Sequence, residues 1–297
     1  MPTAVRPDRA ALVRLTGGSP VTRFAPSPTG YLHLGHVVNA IYVWGVARAA
    51  GGRVLLRIED HDRLRCRPQF EAAILEDLDW LGFVPDAGRD PLVRQRDAGA
   101  AYTEALGVLD GAARLYACDC SRQRIGGEHY DGRCRERSLP RDSGHGLRVR
   151  LDADMVHADD MLLGPLDQRP AEQSGDVLVR DRNGHWTYQF AVTVDDFRQD
   201  VTLVIRGADL TASTGRQVAL ARLLGRTRPP VFLHHPLLVG PEGRKLSKSA
   251  GDTGVRDLRA RGVPPEVVVG TAAAAVGLLE RPRPWAASEV AEFFTGP

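Results

Sequence analysis

Between Val21 and Leu81 short apolar runs alternate with amphipathic stretches, and that alternation limits the folds open to the chain. Val21-Thr22-Arg23-Phe24-Ala25 reads as a strand. Pro26-Ser27-Pro28-Thr29-Gly30 then bars helix and ladder alike, because proline lacks an N–H and glycine favours a turn. From Gly35, Val38, Ile41 and Val46 recur at helical spacing, with Trp44 nearby, up to a Gly51-Gly52 stop. That spacing predicts a helix of about four turns with a glycine cap. Arg53–Ile58 reads as a buried strand ending at Glu59-Asp60, and Pro68 opens a helix with Ile74, Leu78 and Leu81 on one stripe. Strand, helix, strand, helix is the opening of a parallel α/β sheet.

Residues 1–20 are rich in Pro, Arg and Gly without a period and read as a loosely ordered extension. Between Tyr116 and about Gly184 the α/β rhythm breaks into short strand-like runs such as Leu147–Leu151 and Val177–Val179, which suggests an insertion with a small core of its own. The rhythm returns with Val201–Ile205, a helix from about Thr211 to Leu224 ended by Gly225, and a short apolar segment, Leu237–Val239. The expected division is therefore an extension (1–20), two halves of one α/β domain (21–115 and 185–249), an insertion (116–184) and a helical C-terminal segment (250–297).

A formal charge of +2 on 297 residues argues against a protein that coats nucleic acid by electrostatics alone, while allowing a local basic face. Arg6, Arg9 and Arg14 interrupt any N-terminal apolar segment, and the longest apolar run, Val267–Leu279, is shorter than the roughly 20 residues a bilayer requires. It reads as a buried helix, and no membrane partner is expected. Cys118, Cys120 and Cys134 cluster while Cys66 stands alone, a pattern that favours a metal over disulfides and a reducing cytoplasm over export.

Three stretches carry chemistry. Gly243-Arg244-Lys245-Leu246-Ser247-Lys248-Ser249 holds the only lysines of the chain; every other basic residue is arginine. A compact ammonium on a Gly- and Ser-flanked loop suits a polyphosphate clamp. His33-Leu34-Gly35-His36 opens the first long helix, where free N–H groups and the dipole attract anions. Neither a Gly-x-Gly-x-x-Gly fingerprint nor a P-loop is present. The cysteine cluster offers thiolates for three of the four positions zinc prefers; His129, Tyr130 and Asp131 lie within reach of the fourth, and donor chemistry alone favours His129.

Taken together, these residues resemble a known family. Arg23–His36 is similar to the HIGH region of class I glutamyl-tRNA synthetases, and Lys245-Leu246-Ser247-Lys248-Ser249 to their KMSKS loop. Arg57-Ile58-Glu59-Asp60 and Val204–Leu210 resemble two further blocks, and Ser27 matches the glutamyl rather than the glutaminyl pattern. The resemblance implies a Rossmann-like class I catalytic domain that joins glutamate to ATP. His33, Gly35, His36 and Lys248 would contact ATP, brought with Mg2+, with His33, His36, Lys245 and Lys248 as the catalytic set. Arg23, Phe24, Ala25, Pro26, Ser27, Glu59, Tyr188 and Arg206 would hold L-glutamate: Glu59 its α-ammonium, Arg23 and Arg206 its carboxylates.

Short members of the family place Cys-x-Cys, Tyr and Cys in this order, which implies zinc on Cys118, Cys120, Tyr130 and Cys134. Only 48 residues follow Ser249, so the closer resemblance is to the truncated branch, the glutamyl-Q tRNA(Asp) synthetases. Its implied partner is tRNA(Asp) bearing queuosine, with Arg122, Arg124, Arg133, Arg135, Arg137 and Arg141 as candidate RNA contacts on a cytoplasmic monomer. The alternatives are an ordinary glutamyl-tRNA synthetase core with a separate anticodon-binding partner, or an inactive zinc-stabilised RNA-binding module. His61-Asp62-Arg63-Leu64-Arg65 departs from the Thr-Asp-Pro-like run usual in the family.

Overall fold

The computed structural model describes residues 6–127, 129–142, 144–238 and 254–295. The chain starts with α1 (Arg9–Thr16), then β1 (Val21–Phe24), α2 (Leu34–Ala49), β2 (Arg53–Ile58), α3 (Pro68–Leu81), β3 (Val93–Arg94) and α4 (Gly99–Gly111). The insertion follows as β4 (Leu115–Cys118), α5 (Arg122–Ile125), β5 (Gly146–Val149), β6 (Val156–Ala158), β7 (Leu166–Gln168), α6 (Pro170–Gln173) and β8 (Val177–Arg180). The chain then returns through α7 (Tyr188–Arg198), β9 (Leu203–Gly207), α8 (Thr214–Leu223) and β10 (Val231–His235). Among the described residues α9 (Val255–Ala260), α10 (Pro265–Ala275) and a 3-10 turn at Ala287–Phe294 complete it.

β1, β2 and β3 pair in parallel, as do β9 and β10. The two sets meet where the Val21 N–H donates to Thr202 Oγ1 and the Thr202 N–H to the Val21 carbonyl. One crossover, through α2, leads from β1 to β2, and another, through α8, leads from β9 to β10. Strand order therefore runs outward on both sides of the β1/β9 junction, and such a switch point leaves a crevice beyond the carboxyl ends of the strands.

α2 is buried almost all round, because the sheet, α10 and the C-terminal 3-10 turn enclose it. Gly45 makes the last contact possible: a Cβ there would stand 2.4 Å from the Phe294 ring. α10 carries the predicted buried helix, with Val268, Val269, Ala272 and Ala273 inside, and ends at Ala275 rather than at Leu279, with Gly277 at φ +77° just beyond. No helix among the described residues is long and apolar enough to cross a membrane.

Three expectations need correction. Residues 9–16 are helical, not loosely ordered. The Asp8 carboxylate accepts from the Ala10 and Ala11 N–H groups, Gly17 ends the helix at φ +79°, and Leu12 is buried in the main core. The insertion does hold a small core of its own around Cys118, Tyr130 and Cys134, but its sheet β4–β5–β8 packs mainly outside it. Its Leu115, Leu147, Val149 and Val179 share one core with Tyr102 and Leu109 of α4, Phe190 and Val194 of α7, and Leu220 of α8. Three four-residue strands bury too little by themselves, so the face they offer lies on the helices. Finally, β9 begins at Leu203 and reaches Gly207, which puts Arg206 inside the strand, and α8 begins at Thr214 after a 3-10 turn. Of Leu237–Val239, Val239 lies outside the described residues.

Candidate active site and metal cluster

An open cleft of about 510 Å³ lies at the carboxyl ends of β1 and β9. β1 and the proline turn supply Arg23, Phe24, Ala25, Pro26 and Ser27; the start of α2 supplies His33, Gly35 and His36. Glu59 enters from the end of β2, Tyr188 from the start of α7, and Arg206 from β9. The turn is fixed from behind, since the Glu59 N–H donates to the Pro26 carbonyl and the Arg67 N–H to that of Pro28.

Charge alternates beneath the cleft. Arg57, wholly buried, donates from Nη2 to Glu59 Oε1 at 2.9 Å and lies 2.9 Å from Asp196 through Nη1. Asp196 in turn accepts from Arg23 Nε at 3.0 Å and 3.2 Å. Burial opposes the charge on Arg57, but Asp196, Glu59 and Asp195 outweigh it and keep the guanidinium protonated. At Asp196 burial again opposes the charge, and Arg23 and Arg57 together hold the carboxyl below its ordinary value.

Arg206 is placed differently. It is only 4 % exposed, and its nitrogens donate to His234 Nε2 at 3.0 Å, Gln217 Oε1 at 2.6 Å and Thr214 Oγ1 at 2.9 Å. These acceptors are neutral. His234 is oriented for the task because its Nδ1–H is directed to Asp160, 2.5 Å away. Burial pulls the Arg206 guanidinium below its ordinary value. A buried cation oriented by neutral groups is unbalanced until an anion enters the cleft.

His33 and His36 form a capping box with their rings. His33 Nδ1 accepts from the Gly35 N–H and His36 Nδ1 from the His33 N–H, both at 3.1 Å, with ring centres 4.0 Å apart. A neutral imidazole that accepts at Nδ1 carries its proton on Nε2. Gly35 serves this cap, because a Cβ would come within 2.8 Å of the His33 ring. Lys245 and Lys248 lie outside the described residues. Their described neighbours border the cleft: Leu238 lines it, and Gly254 bridges to His33 while the Val255 N–H donates to the Leu32 carbonyl.

Sequence reasoning missed Arg57, Asp196, Asn39 and His235. Arg57 sat inside a matched block and read only as a strand residue, and nothing near Asp196 in sequence marks its partners. His235 stacks on Tyr42, accepts from Asn39 Nδ2 at 3.0 Å and is held neutral by burial, which lowers its pKa to about 4.

The second cluster draws Cys118, Cys120 and Cys134 together, with all sulfurs within 4.8 Å of one another. Thiolates about 2.3 Å from a tetrahedral zinc ion stand roughly 3.8 Å apart, and Cys120 and Cys134 are 3.6 Å apart. The buried Tyr130 brings its hydroxyl 3.7 Å from Cys118 Sγ, whereas His129 is exposed and outside the group. Burial disfavours the Cys118 thiolate, but the Cys120 N–H, Arg148 and Tyr130 outweigh it and lower its pKa. Burial and Cys134 push Cys120 up to about 12. Crowded thiols resist joint ionisation unless a cation sits among them, so these residues fit a zinc ion and can hold one. Gly175, at φ +69°, lets the backbone between α6 and β8 approach Tyr130 closely; a Cβ there would meet the Tyr130 carbonyl at 1.8 Å.

The arginines expected around this cluster are largely engaged. Arg133 pairs with Asp131, Arg135 with Asp176, Arg137 and Arg124 with Asp119, and Arg141 with Asp110.

Residues 20–275 match the family described as tRNA synthetases class I (E and Q), catalytic domain. The chain is 40% identical to the glutamyl-Q tRNA(Asp) synthetase of Symbiobacterium thermophilum, over 92% of this chain and 91% of that one. It is 39% identical to glutamate–tRNA ligase 1 of Cereibacter sphaeroides, over 82% of this chain and 58% of that one. Among solved structures, a glutamate tRNA ligase from Elizabethkingia meningosepticum in complex with its amino acid is similar with a TM-score of 0.76 at 26% identity. That likeness covers 92% of this chain and 64% of the other. The cleft at the switch point and these matches together establish that the chain belongs to the class I (E and Q) tRNA synthetase family of ligases.

Proposed function

We propose that the chain activates L-glutamate with ATP to glutamyl-adenylate without tRNA, and then transfers glutamate to queuosine in the anticodon of tRNA(Asp). The observation that carries the first half is Arg206, a buried cation with neutral partners beside Glu59, a buried anion, in one cleft. A dicarboxylic amino acid supplies the complementary set. Its side-chain carboxylate answers Arg206 and Tyr188, its ammonium answers Glu59, and Arg23 steadies the α-carboxylate.

In activation an α-carboxylate oxygen attacks the α-phosphorus of ATP, the bond to the β-phosphate bridge breaks, and pyrophosphate leaves with its Mg2+. Charge grows on phosphate oxygens, so the Nε2–H donors of His33 and His36 and the ammoniums of Lys248 and Lys245 act by position and electrostatics. In transfer a hydroxyl of the queuosine ring attacks the glutamyl carbonyl, AMP leaves, and the hydroxyl proton passes to solvent.

Support for the glutamyl-Q branch comes from the Cys118, Cys120, Tyr130, Cys134 set and from relatives of that name at 38–42% identity. Zinc on that set would cross-link the insertion; it supplies structure, not a step. We take 21–115 with 185–249 as the catalytic unit, 116–184 as the metal-bearing insertion, and a cytoplasmic monomer as the working form. Glutamate-dependent ATP–pyrophosphate exchange without tRNA tests the first half. Transfer to tRNA(Asp) with and without queuosine tests the second, and equal charging of both, or charging of a glutamate tRNA at its 3′ end, overturns it in favour of the ordinary synthetase core.

A further inference from the structure

A groove of about 390 Å³ opens between Arg141, Asp142 and His145 on one side and, on the other, the end of β8 with the turn after it, Arg180–Gly184. Arg180 and Arg182 both line it, and neither forms a salt bridge among the described residues. Arg180 Nε is buried with no hydrogen-bond partner. A buried, unsatisfied N–H on a permanent cation carries an energetic cost unless a ligand acceptor reaches it. The acids of the groove have local partners: Asp142 is bound to His145, and Asp181 to the His185 ring and to the His185 and Asn183 N–H groups. Arg141 is turned toward Asp110 and the Leu115 carbonyl. What the groove offers is therefore the pair Arg180 and Arg182, with the exposed Asn183 also lining it.

Its place in the fold matters as much as its charge. Arg180 bridges Trp186 across an antiparallel pair, and the Thr187 N–H and Oγ1 bond back to Val179 and Leu178. Paired residues in such a bridge stand about 5 Å apart, and Tyr188 follows Trp186 by about 7 Å of chain. The groove thus sits at the tip of the hairpin whose base leads through Thr187 into Tyr188 of the cleft, on the insertion side. By contrast, the arginines near the cysteine cluster that sequence alone nominates are neutralised by Asp119, Asp131 and Asp176.

We propose that Arg180 and Arg182 form a phosphate clamp for the RNA loop whose nucleotide enters the cleft, holding a backbone phosphodiester of that loop away from the reacting nucleotide. The proposal rests on the reading that the second substrate is a tRNA loop, and it deepens that reading by naming where its backbone is gripped. Phosphate contacts of this kind set register and orientation and leave base identity to the cleft.

The test uses the full chain and a synthetic anticodon stem–loop of tRNA(Asp), with binding measured across a salt series. Arg182→Glu, at an exposed site, and Arg180→Ala each weaken binding by about tenfold and lower the salt slope by about 0.7 per phosphate contact removed. Both leave glutamate-dependent ATP–pyrophosphate exchange unchanged. Arg133→Ala, already paired with Asp131, changes neither affinity nor slope. Wild-type affinity and slope in Arg182→Glu, an equal loss from Arg133→Ala, or no binding of the stem–loop by the wild-type chain each overturn the clamp. Failure of exchange or transfer by the wild-type chain is read separately and counts against the proposed function, not the groove.

Discussion

Asp196 on α7 grips Arg23 on β1 at 3.0 Å and 3.2 Å, with both side chains more than nine-tenths buried. The same carboxylate lies 2.9 Å from Arg57, which donates to Glu59. Asp196 therefore spaces a candidate carboxylate binder from a candidate ammonium binder. Asp196→Asn keeps the shape and removes the charge. The expected result is a rise of about tenfold or more in KM for glutamate in the exchange assay, since an ordering charge-assisted pair is lost, with KM for ATP little changed. Asp196→Ala leaves the buried Arg23 without its acidic partner and Arg57 with only Glu59 and Asp195, and should destabilise the fold by about 3–5 kcal/mol in urea unfolding.

The ring-built cap at the start of α2 makes a second expectation. His36→Ala removes one phosphate donor and should lower the exchange rate by about 100- to 1,000-fold, while losing about 1 kcal/mol of helix capping. Gly35→Ala, whose Cβ would meet the His33 ring at 2.8 Å, should reproduce much of the rate loss without touching either imidazole. Wild-type exchange in Gly35→Ala would show that the cap geometry is irrelevant to activity.

Lys248 offers a test drawn from composition. Lys248→Ala should abolish adenylate formation while thermal unfolding is unchanged. Lys248→Arg should fail to restore it, because a planar guanidinium cannot replace a compact ammonium in that setting. Recovery of exchange in Lys248→Arg counts against a specific need for lysine.

The cysteine cluster predicts metal stoichiometry. Elemental analysis of the purified chain should find one zinc per chain. Cys134→Ser should lose it and lower Tm, because metal binding in such a site is also folding energy. Tyr130→Phe should weaken retention against a chelator, and His129→Ala should leave it intact. A reversed order for the last two would make His129 the ligand.

Asp77 gives a pH expectation. It is fully buried on α3, neither carboxylate oxygen has a hydrogen-bond partner, and Arg259 stands 3.5 Å away. Burial pushes its pKa up to about 6, against about 3.9 in an unfolded chain. The folded state thus binds this proton more tightly, and the contribution to stability falls as pH rises from about 4 through about 6, then levels off. Asp77→Asn should match the wild type near pH 4 and exceed it at pH 7.5 by an amount on the order of 2 kcal/mol. A gap that does not change with pH would dismiss Asp77 as its source.

Local rules carried much of the outline. The strand ending at the Pro26–Gly30 turn, the helix that follows and the strand at Arg53–Ile58 depend on residues a few positions apart, and their sequence signals are strong. The spacing of Cys118, Cys120 and Cys134 marked a cluster for the same reason, and the matched blocks named most of the residues that line the cleft. Tertiary structure decided the rest, because charge compensation depends on which distant segments meet. Arg23 finds Asp196 across 173 positions, and burial separates Tyr130 from its exposed neighbour His129. Pairing with Asp119, Asp131 and Asp176 takes up the arginines that looked available, while Arg180 and Arg182, unremarkable in sequence, line a groove without a salt bridge among the described residues.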